Sequence, residues 1–315
     1  MNVSFSVIIR CFNEERHLPV LLKSIENQSL KPAEVLLVDS GSTDSSVRIA
    51  EDHGARVLHI RQEEFSFGRS LNLGAGAARG EFLVIASAHV YPTTDRWLEF
   101  LLNPFENERV ALVYGGQCGD QTTKYSERQI FKQWFPPVSV SDQTHAFCNN
   151  GNAAVRRSVW ETLRYDEHVP GLEDVHWAKR ARERGLAVTY RADAQVAHVH
   201  NESYLQVSRR YRREAIGFRS VYPWEGMTLP QACRLCCSSI RLDLLEARRD
   251  GVLMEVFGSV IRFRFSQYWG AYRGMKWQGF LTNDLKARLY FPGASLAKNQ
   301  ENATAGTPFT PKDAE

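Results

Sequence analysis

"AEVLLVDSGSTDSSVRIAEDHG", residues 33–54, decides how the chain folds. A short apolar run rich in Val and Leu ends at Asp39, a Gly-Ser-Thr turn follows, and a helical stretch stops at Gly54. Strand, polar turn and helix within 22 residues form one βα unit. The same plan stands on both sides. "FSVIIRCF" (5–12) is near-continuously apolar, as a strand covered on both faces should be. "ERHLPVLLKSIENQ" (15–28) places Leu18, Leu21, Leu22 and Ile25 at helical spacing. "ARVLHI" (55–60), "FGRSLNLGAGAARG" (67–80) and "EFLVIASAH" (81–89) read as strand, small-residue helix and strand. Strands alternating with helices at this interval predict an α/β fold: a Rossmann-like, mostly parallel sheet flanked by helices.

Beyond Pro92 the pattern loosens. "RWLEFLLNPF" (96–105) predicts a short helix and "VALVYGGQ" (110–117) a strand. Residues 118–145 form a long weakly periodic segment, a length that inside an α/β domain points to function. "NAAVRRSVWETL" (152–163) and "LEDVHWAKRARERG" (172–185) read as helices, and "AVTYRADAQVAHVH" (187–200) as a pair of strands at the sheet edge. From Tyr204 onward the chain reads as basic and helical. The resulting division is an α/β domain over 1–202, a basic helical region over 203–293 and a polar, disordered tail over 294–315.

Apolar residues make up 43% of the 315 and charged residues 24%, the balance of an ordinary globular protein. No run reaches the roughly 20 apolar residues of a membrane-spanning helix. The first strand starts almost at Met1, which leaves no room for a secretory signal, so a cytoplasmic location is expected. The six cysteines lie among apolar neighbours, and "CRLCC" lacks the second ligand pair of a zinc site, so reduced thiols are expected. Residues 201–293 carry 15 Lys/Arg against 8 Asp/Glu, although the whole chain is only +3. Within them "VIRFRFSQYWGAYRGMKWQGF" (260–280) interleaves cations with aromatics, the composition either of a helix on an anionic membrane surface or of an appendage packed on the α/β domain with a solvated basic face. Nucleic acid is not expected as a partner, because the charge is modest and no binding motif occurs.

In open parallel sheets ligands bind beyond the carboxyl ends of the strands. Those ends carry Cys11, Asn13 and Glu14 after the first strand, Asp39 and Ser40 after the second, and Ser87, Ala88 and His89 after the fourth. A carboxylate closing a buried strand needs a partner, and a ribose hydroxyl or base N–H would serve Asp39. No G-x-G-x-x-G follows the first strand, which disfavours a dinucleotide.

"SVIIRCFNEERHLPVLLKSIENQSLKPAEVLLVDSGSTDSS" (6–46), "SFGRSLNLGAGAARGEFLVIASAHVYP" (66–92) and "AQVAHVHNES" (194–203) together resemble the family 2 inverting glycosyltransferases of GT-A fold. "FSFGRSLNLGA" (65–75) resembles the bacterial rhamnosyltransferase-like members in particular. The resemblance spans roughly the first 200 residues. It implies a nucleotide-sugar donor, a glycan or lipid-linked glycan acceptor, and a place in cell-surface polysaccharide synthesis at the inner face of the cytoplasmic membrane. It further implies that Cys11, Asn13, Glu14, Asp39 and Ser40 line the nucleotide pocket, with Arg69 and Asn72 at the family's Arg-Asn pair. Leu71 stands directly before Asn72, which sets Arg69 one helical step off.

The family's fourth strand ends in Asp-X-Asp, whose carboxylates hold Mg²⁺ or Mn²⁺; here Ser87-Ala88-His89 stands instead. His89 is then a ligand for Mn²⁺ or another first-row ion, a direct donor to phosphate, or simply a satisfied strand-end histidine. His198, at the family's late histidine, and His200 share one face of a strand and offer further ligands. "VPGLEDVHWAKRARERG" (169–185) resembles the motif that supplies the catalytic base: Asp174 takes the acceptor's proton and Glu173 orients it. A helix N-terminus would hold that carboxylate ionised. "FCNNGNAAVRRSVW" (147–160) resembles the sugar-pocket segment, so Gly151 and Asn152 join Ser87 and Ala88 there, and Trp177, one turn after the base, either stacks on an acceptor ring or belongs to the core. A non-catalytic sugar-nucleotide binder that lost its metal with the Asp-X-Asp is the alternative.

Overall fold

The computed structural model describes residues 4–279 together with Leu285, Leu289 and Tyr290. The expected βα units are present: β1 (Phe5–Cys11), α1 (Leu18–Glu26), β2 (Glu34–Asp39), α2 (Ser46–Asp52), β3 (Arg56–His59), α3 (Phe67–Ala77) and β4 (Phe82–Ser87). The four strands lie parallel in the order β3-β2-β1-β4. Val7, Ile8 and Ile9 of β1 are all buried, as a strand covered on both faces requires. Leu18, Leu21, Leu22 and Ile25 turn α1's apolar stripe into the same core. Gly74 brings α3 close to β1 and β2, since a Cβ there would lie 2.6 Å from Ile8 Cγ2.

The second half departs from the sequence expectation. After β5 (Val90–Pro92), α4 (Trp97–Leu102), β6 (Val110–Cys118) and α5 (Tyr125–Trp134), residues 152–156 form a strand, β7 (Asn152–Arg156), rather than the start of a helix. The helix α6 (Arg157–Thr162) begins only afterwards. Asn152, Ala153, Ala154 and Val155 are all fully buried, and a strand buried on both faces has no alternation to betray it. After α7 (Glu173–Glu183), residues 187–198 form one long strand, β8 (Ala187–His198), not a strand pair. It runs between β6 and β5, with a register shift opposite Gly115–Gln117 that absorbs the polar Arg191-Ala192-Asp193 stretch.

The full order is β3-β2-β1-β4-β7-β6-β8-β5. The pairings β4–β7, β6–β7 and β5–β8 are antiparallel, so the sheet is parallel in its first half and mixed in its second. Only Ala88 and His89 separate β4 from β5, yet three strands stand between them in the sheet. Two residues span less than about 10 Å. The sheet must therefore curl until its edge strand returns beside its centre, and that curl carries β8's end to His89.

Helices α8 (Tyr204–Val221), α9 (Leu229–Arg249) and α10 (Leu253–Met275) complete a compact unit that runs to Lys276; a second unit begins at Trp277. Capping boxes Ser203/Gln206 and Thr228/Gln231 start α8 and α9. Gly270 and Gly274 of α10 lie against the backbone of α8, with a Cβ at Gly270 falling 2.2 Å from the Ser208 carbonyl oxygen. Asp243 of α9 and Arg264 of α10 form a buried bidentate pair at 2.7 and 2.8 Å. Among the described residues no helix is long and apolar enough to cross a membrane. The six cysteines are free. The expected disordered tail, 294–315, lies outside the described residues.

Candidate active site

The carboxyl ends of β2, β1 and β4 stand side by side: Cys11 is opposite Asp39, and Arg10 is opposite Ser87. The loops after β1 and β2 are joined by hydrogen bonds. Asn13, at a left-handed φ of 55° that asparagine tolerates, accepts from the Thr43 N–H at 2.8 Å and donates its own N–H to Ser42 Oγ. Glu14 N–H donates to Ser46 Oγ at 2.8 Å. Ser40 is buried and ties its hydroxyl to the Cys11 carbonyl. Burial pushes the Cys11 thiol up to about 12, so it is a neutral wall and not a nucleophile. Asp39 is buried too, but the turn supplies what it needs: the Gly41 and Ser42 N–H groups donate to its oxygens at 3.1 Å. The carboxylate therefore has partners without any ligand, contrary to the sequence expectation, and keeps acceptor capacity to spare.

Glu173 and Asp174 open α7 beside these ends, after Leu172 in the left-handed region (φ 59°). Arg10 reaches Glu173 Oε1 at 3.1 Å and its guanidinium lies over the Phe67 ring, centroid 5.0 Å. The charge inside the apolar run of β1 is thus the partner that holds Glu173. Asp174 accepts the Asn150 N–H at 3.0 Å and the Val175 N–H at 2.8 Å. Burial, and next the negative charge of Glu173, push its carboxyl up to about 7 against those two bonds and Arg10. The expectation that the helix terminus keeps it fully ionised is corrected: desolvation outweighs the dipole.

His89, His198 and His200 converge, one ring nitrogen from each lying within 4.8 Å of the others. Their Nδ1 atoms face acceptors: Glu14 Oε1 at 2.7 Å, Gln117 Oε1 at 2.8 Å and Glu127 Oε1 at 2.7 Å. Gln117's amide is oriented by its bond to Asn149 Oδ1, which also takes the Gly151 N–H. Burial, and then His200 and His89, hold the His198 imidazole well below its ordinary range, hence neutral. Burial alone would raise Glu127, but His200 and Arg210 bring it down to about 2. Arg210 of α8 bonds Glu127 at 2.6 Å and Glu202 at 2.8 Å. With each Nδ1 facing an acceptor, Nε2 is the nitrogen each ring has left for a ligand, and the His198 and His200 Nε2 atoms lie 3.1 Å apart. Ligands at about 2.0–2.1 Å from one ion sit at this kind of separation, so the residues fit a divalent metal. Ser87 Oγ stands 3.2 Å from His89 Nε2. Gly151 packs against His198, where a Cβ would lie 3.2 Å from Cε1.

Four expected contacts fall away. Trp177 is fully buried and donates its Nε1–H to the Leu163 carbonyl, so it is core and cannot stack on an acceptor. Asn152 is fully buried; its amide bonds the Gly116 and Ala194 carbonyls and accepts from Trp97 Nε1, tying three strands and α4 together. Ala88 is a core residue. Asn72 spends its whole amide on Trp160, Tyr165 and Glu167, latching α3 to the loop before α7. Arg69 is half exposed, with Glu64 at 3.9 Å.

The sequence over residues 6–164 matches the family described as Glycosyl transferase family 2, half of the chain. The chain belongs to glycosyl transferase family 2. It is 27% identical to the O-antigen chain rhamnosyltransferase WbaN of Salmonella anatum over 84% of this chain and 90% of that one. A second relative, the O-antigen chain rhamnosyltransferase RfbN of Salmonella typhimurium, is 26% identical over 85% and 90%. In fold it is similar to the mannosyltransferase PcManGT of Pyrobaculum calidifontis, solved with GDP-Man and Mn²⁺ (TM-score 0.58, 18% identity, 96% and 88% covered). It is likewise similar to glucosyl-3-phosphoglycerate synthase of Mycobacterium tuberculosis, solved with Mn²⁺, UDP-glucose and phosphoglyceric acid (TM-score 0.53, 21%, 70% and 80%). The fold is GT-A-like and the chain is a glycosyltransferase.

Sequence reasoning missed Arg10, Gln117, Glu127, Asn149 and Arg210 in this candidate site. One signal was available: Arg10 is a lone charge inside a buried strand. Glu127 lies within the weakly periodic 118–145 segment, and its partner Arg210 is 83 residues away.

Proposed function

We propose that this glycosyltransferase moves a sugar from a nucleoside-diphosphate donor to a hydroxyl of a glycan or lipid-linked glycan, with inversion, in cell-surface polysaccharide assembly. The observation that carries the reading is Asp174: a carboxyl at the first turn of α7, oriented by two backbone N–H groups and flanked by the Arg10–Glu173 pair. In an inverting displacement the acceptor oxygen attacks the anomeric carbon, its proton passes to Asp174, and the nucleoside diphosphate leaves from the opposite face. Asp39 and Glu14, with Cys11, Asn13 and Ser40 forming the wall, receive the nucleoside; Asp39's remaining lone pairs suit a ribose hydroxyl or base N–H. Arg69 is the cation on α3 nearest in kind to a phosphate contact.

His89, His198 and His200 hold a divalent ion. Such an ion supplies charge neutralisation for the departing diphosphate. Ser87 and Gly151 border the sugar. Similarity to two O-antigen rhamnosyltransferases along most of both chains supports a deoxyhexose donor and a growing O-antigen-type chain as acceptor. The enzyme acts at the inner face of the cytoplasmic membrane, held there by anionic lipid. Supporting this, Met254, Phe257, Ile261, Phe265 and Trp269 make an exposed apolar stripe along α10, and Arg262, Arg273 and Lys276 are exposed beside it.

The test is nucleotide release across UDP-, dTDP- and GDP-sugars with a lipid-linked acceptor, comparing wild type with Asp174→Asn. Release with at least one donor, lost in the variant, is expected. Full activity in Asp174→Asn would remove the base from this assignment.

A further inference from the structure

The paired imidazoles at the end of β8 pose a chemical question. Gln117 offers His198 a carbonyl oxygen and Glu127 offers His200 a carboxylate, so both rings donate from Nδ1. Both Nε2 atoms then carry lone pairs, yet they point at each other across 3.1 Å. Two facing lone pairs repel unless a proton or a cation stands between them. The remaining surroundings favour a cation. His89 brings a third ring whose Nδ1 is likewise committed, to Glu14. The carboxylates of Glu14 and Glu127 stand behind two of the three rings, the arrangement that raises imidazole basicity toward a metal. Arg210, the nearby positive charge, is itself neutralised by Glu127 and Glu202.

We propose that His89, His198 and His200 form a site for a first-row transition ion, taking Zn²⁺ or Co²⁺ tightly, Mn²⁺ less so and Mg²⁺ hardly at all, with Glu127 as the positioning residue that fixes His200. Three neutral nitrogen donors rank ions by the strength of the metal–imidazole bond, whereas Mg²⁺ demands oxygen and keeps its water. The usual order of such sites would thus be inverted: where two carboxylates select a hard ion, this trio selects a borderline one. Glu127 is braced from α5 by α8, so the C-terminal helices help build the metal site. The proposal rests on the reading of these rings as an ion site, and on transfer itself only for what the ion does there.

The experiment titrates the full chain, stripped with chelator, by calorimetry and by the visible absorption of Co²⁺. One equivalent of Co²⁺ or Zn²⁺ should bind at least about 100-fold more tightly than Mg²⁺. His198→Ala and His200→Ala should abolish the Co²⁺ spectrum. Glu127→Gln, which keeps the side chain's shape, should weaken Zn²⁺ binding roughly 10–100-fold with an unchanged circular dichroism spectrum. Absence of saturable Zn²⁺ and Co²⁺ binding by the folded wild type would mean the two rings share a proton only, and overturns the site. Equal affinity for Mg²⁺ overturns its selectivity. Glu127→Gln binding like wild type overturns the positioning role. Nucleotide release, measured separately, keeps the readings apart: Asp174-dependent release that survives exhaustive chelation leaves the transferase standing without the ion, while ion binding without release from any donor does the reverse.

Discussion

In the proposed role of Asp174 as the base, one carboxyl's surroundings couple stability to rate. Its pKa is raised from the ordinary aspartate range to about 7, so between those limits the folded chain holds a proton that the unfolded chain has lost. The associated stability is complete below the unfolded value and drains away as pH rises toward 7. Activity runs the other way, because a base must be ionised. We expect kcat/KM to climb with pH through a midpoint near 7, while Tm falls over the same interval. Asp174→Asn should lower kcat roughly 10²–10⁴-fold and flatten the Tm profile; an acid limb near pH 4 would contradict the buried-base assignment. Much of this residue's setting could be read in the sequence, since Glu173-Asp174 opens a helix with a familiar pattern. Its raised pKa could not, because burial comes from residues far apart in the chain. Asn152 and Trp177 erred in the other direction: their polarity and place near the motif suggested a ligand, but the fold spends their hydrogen bonds on strands and loops. Both give way to a simple rule, that a buried polar group is bonded to whatever lies nearest.

Among the elements, the first four strands were legible because each is a compact apolar run followed by a turn. β7 was not: alanine-rich, buried on both faces and fused to α6, it offered no period. The joints between helices are more readable from glycine. At Gly270 and Gly274 of α10 a methyl would collide with α8's backbone. Gly270→Ala should therefore cost about 1–3 kcal/mol in denaturant unfolding, by forcing the two helices apart. The Asp243–Arg264 pair makes a second prediction. Removing one partner, as in Arg264→Met, should cost about 3–5 kcal/mol by stranding a buried charge. Adding Asp243→Leu should restore most of it. If the double variant is no more stable than the single one, the pair stabilises through something other than mutual neutralisation.

For the molecule as a whole, charge and apolar surface concentrate on the same helices. Met254 and Phe265 are 89% and 61% exposed on α10, and the exposed side of α9 carries Arg234, Arg241, Arg248 and Arg249. The protein should co-sediment with phosphatidylglycerol vesicles at low salt and release at high salt. Phe257→Ser/Phe265→Ser should reduce the bound fraction several-fold without altering Zn²⁺ affinity. Binding to neutral and anionic vesicles alike would remove the electrostatic part of the argument.

Strand β8 lies inside the sheet but is the last of the described strands that the ribosome delivers. Until residue 198 has emerged, β6 and β5 must each wait with an open row of amides and carbonyls. The nascent chain is thus most prone to mispairing late in its synthesis. Messages truncated between β7 and β8 should yield insoluble product, even though they encode all four parallel strands β1–β4.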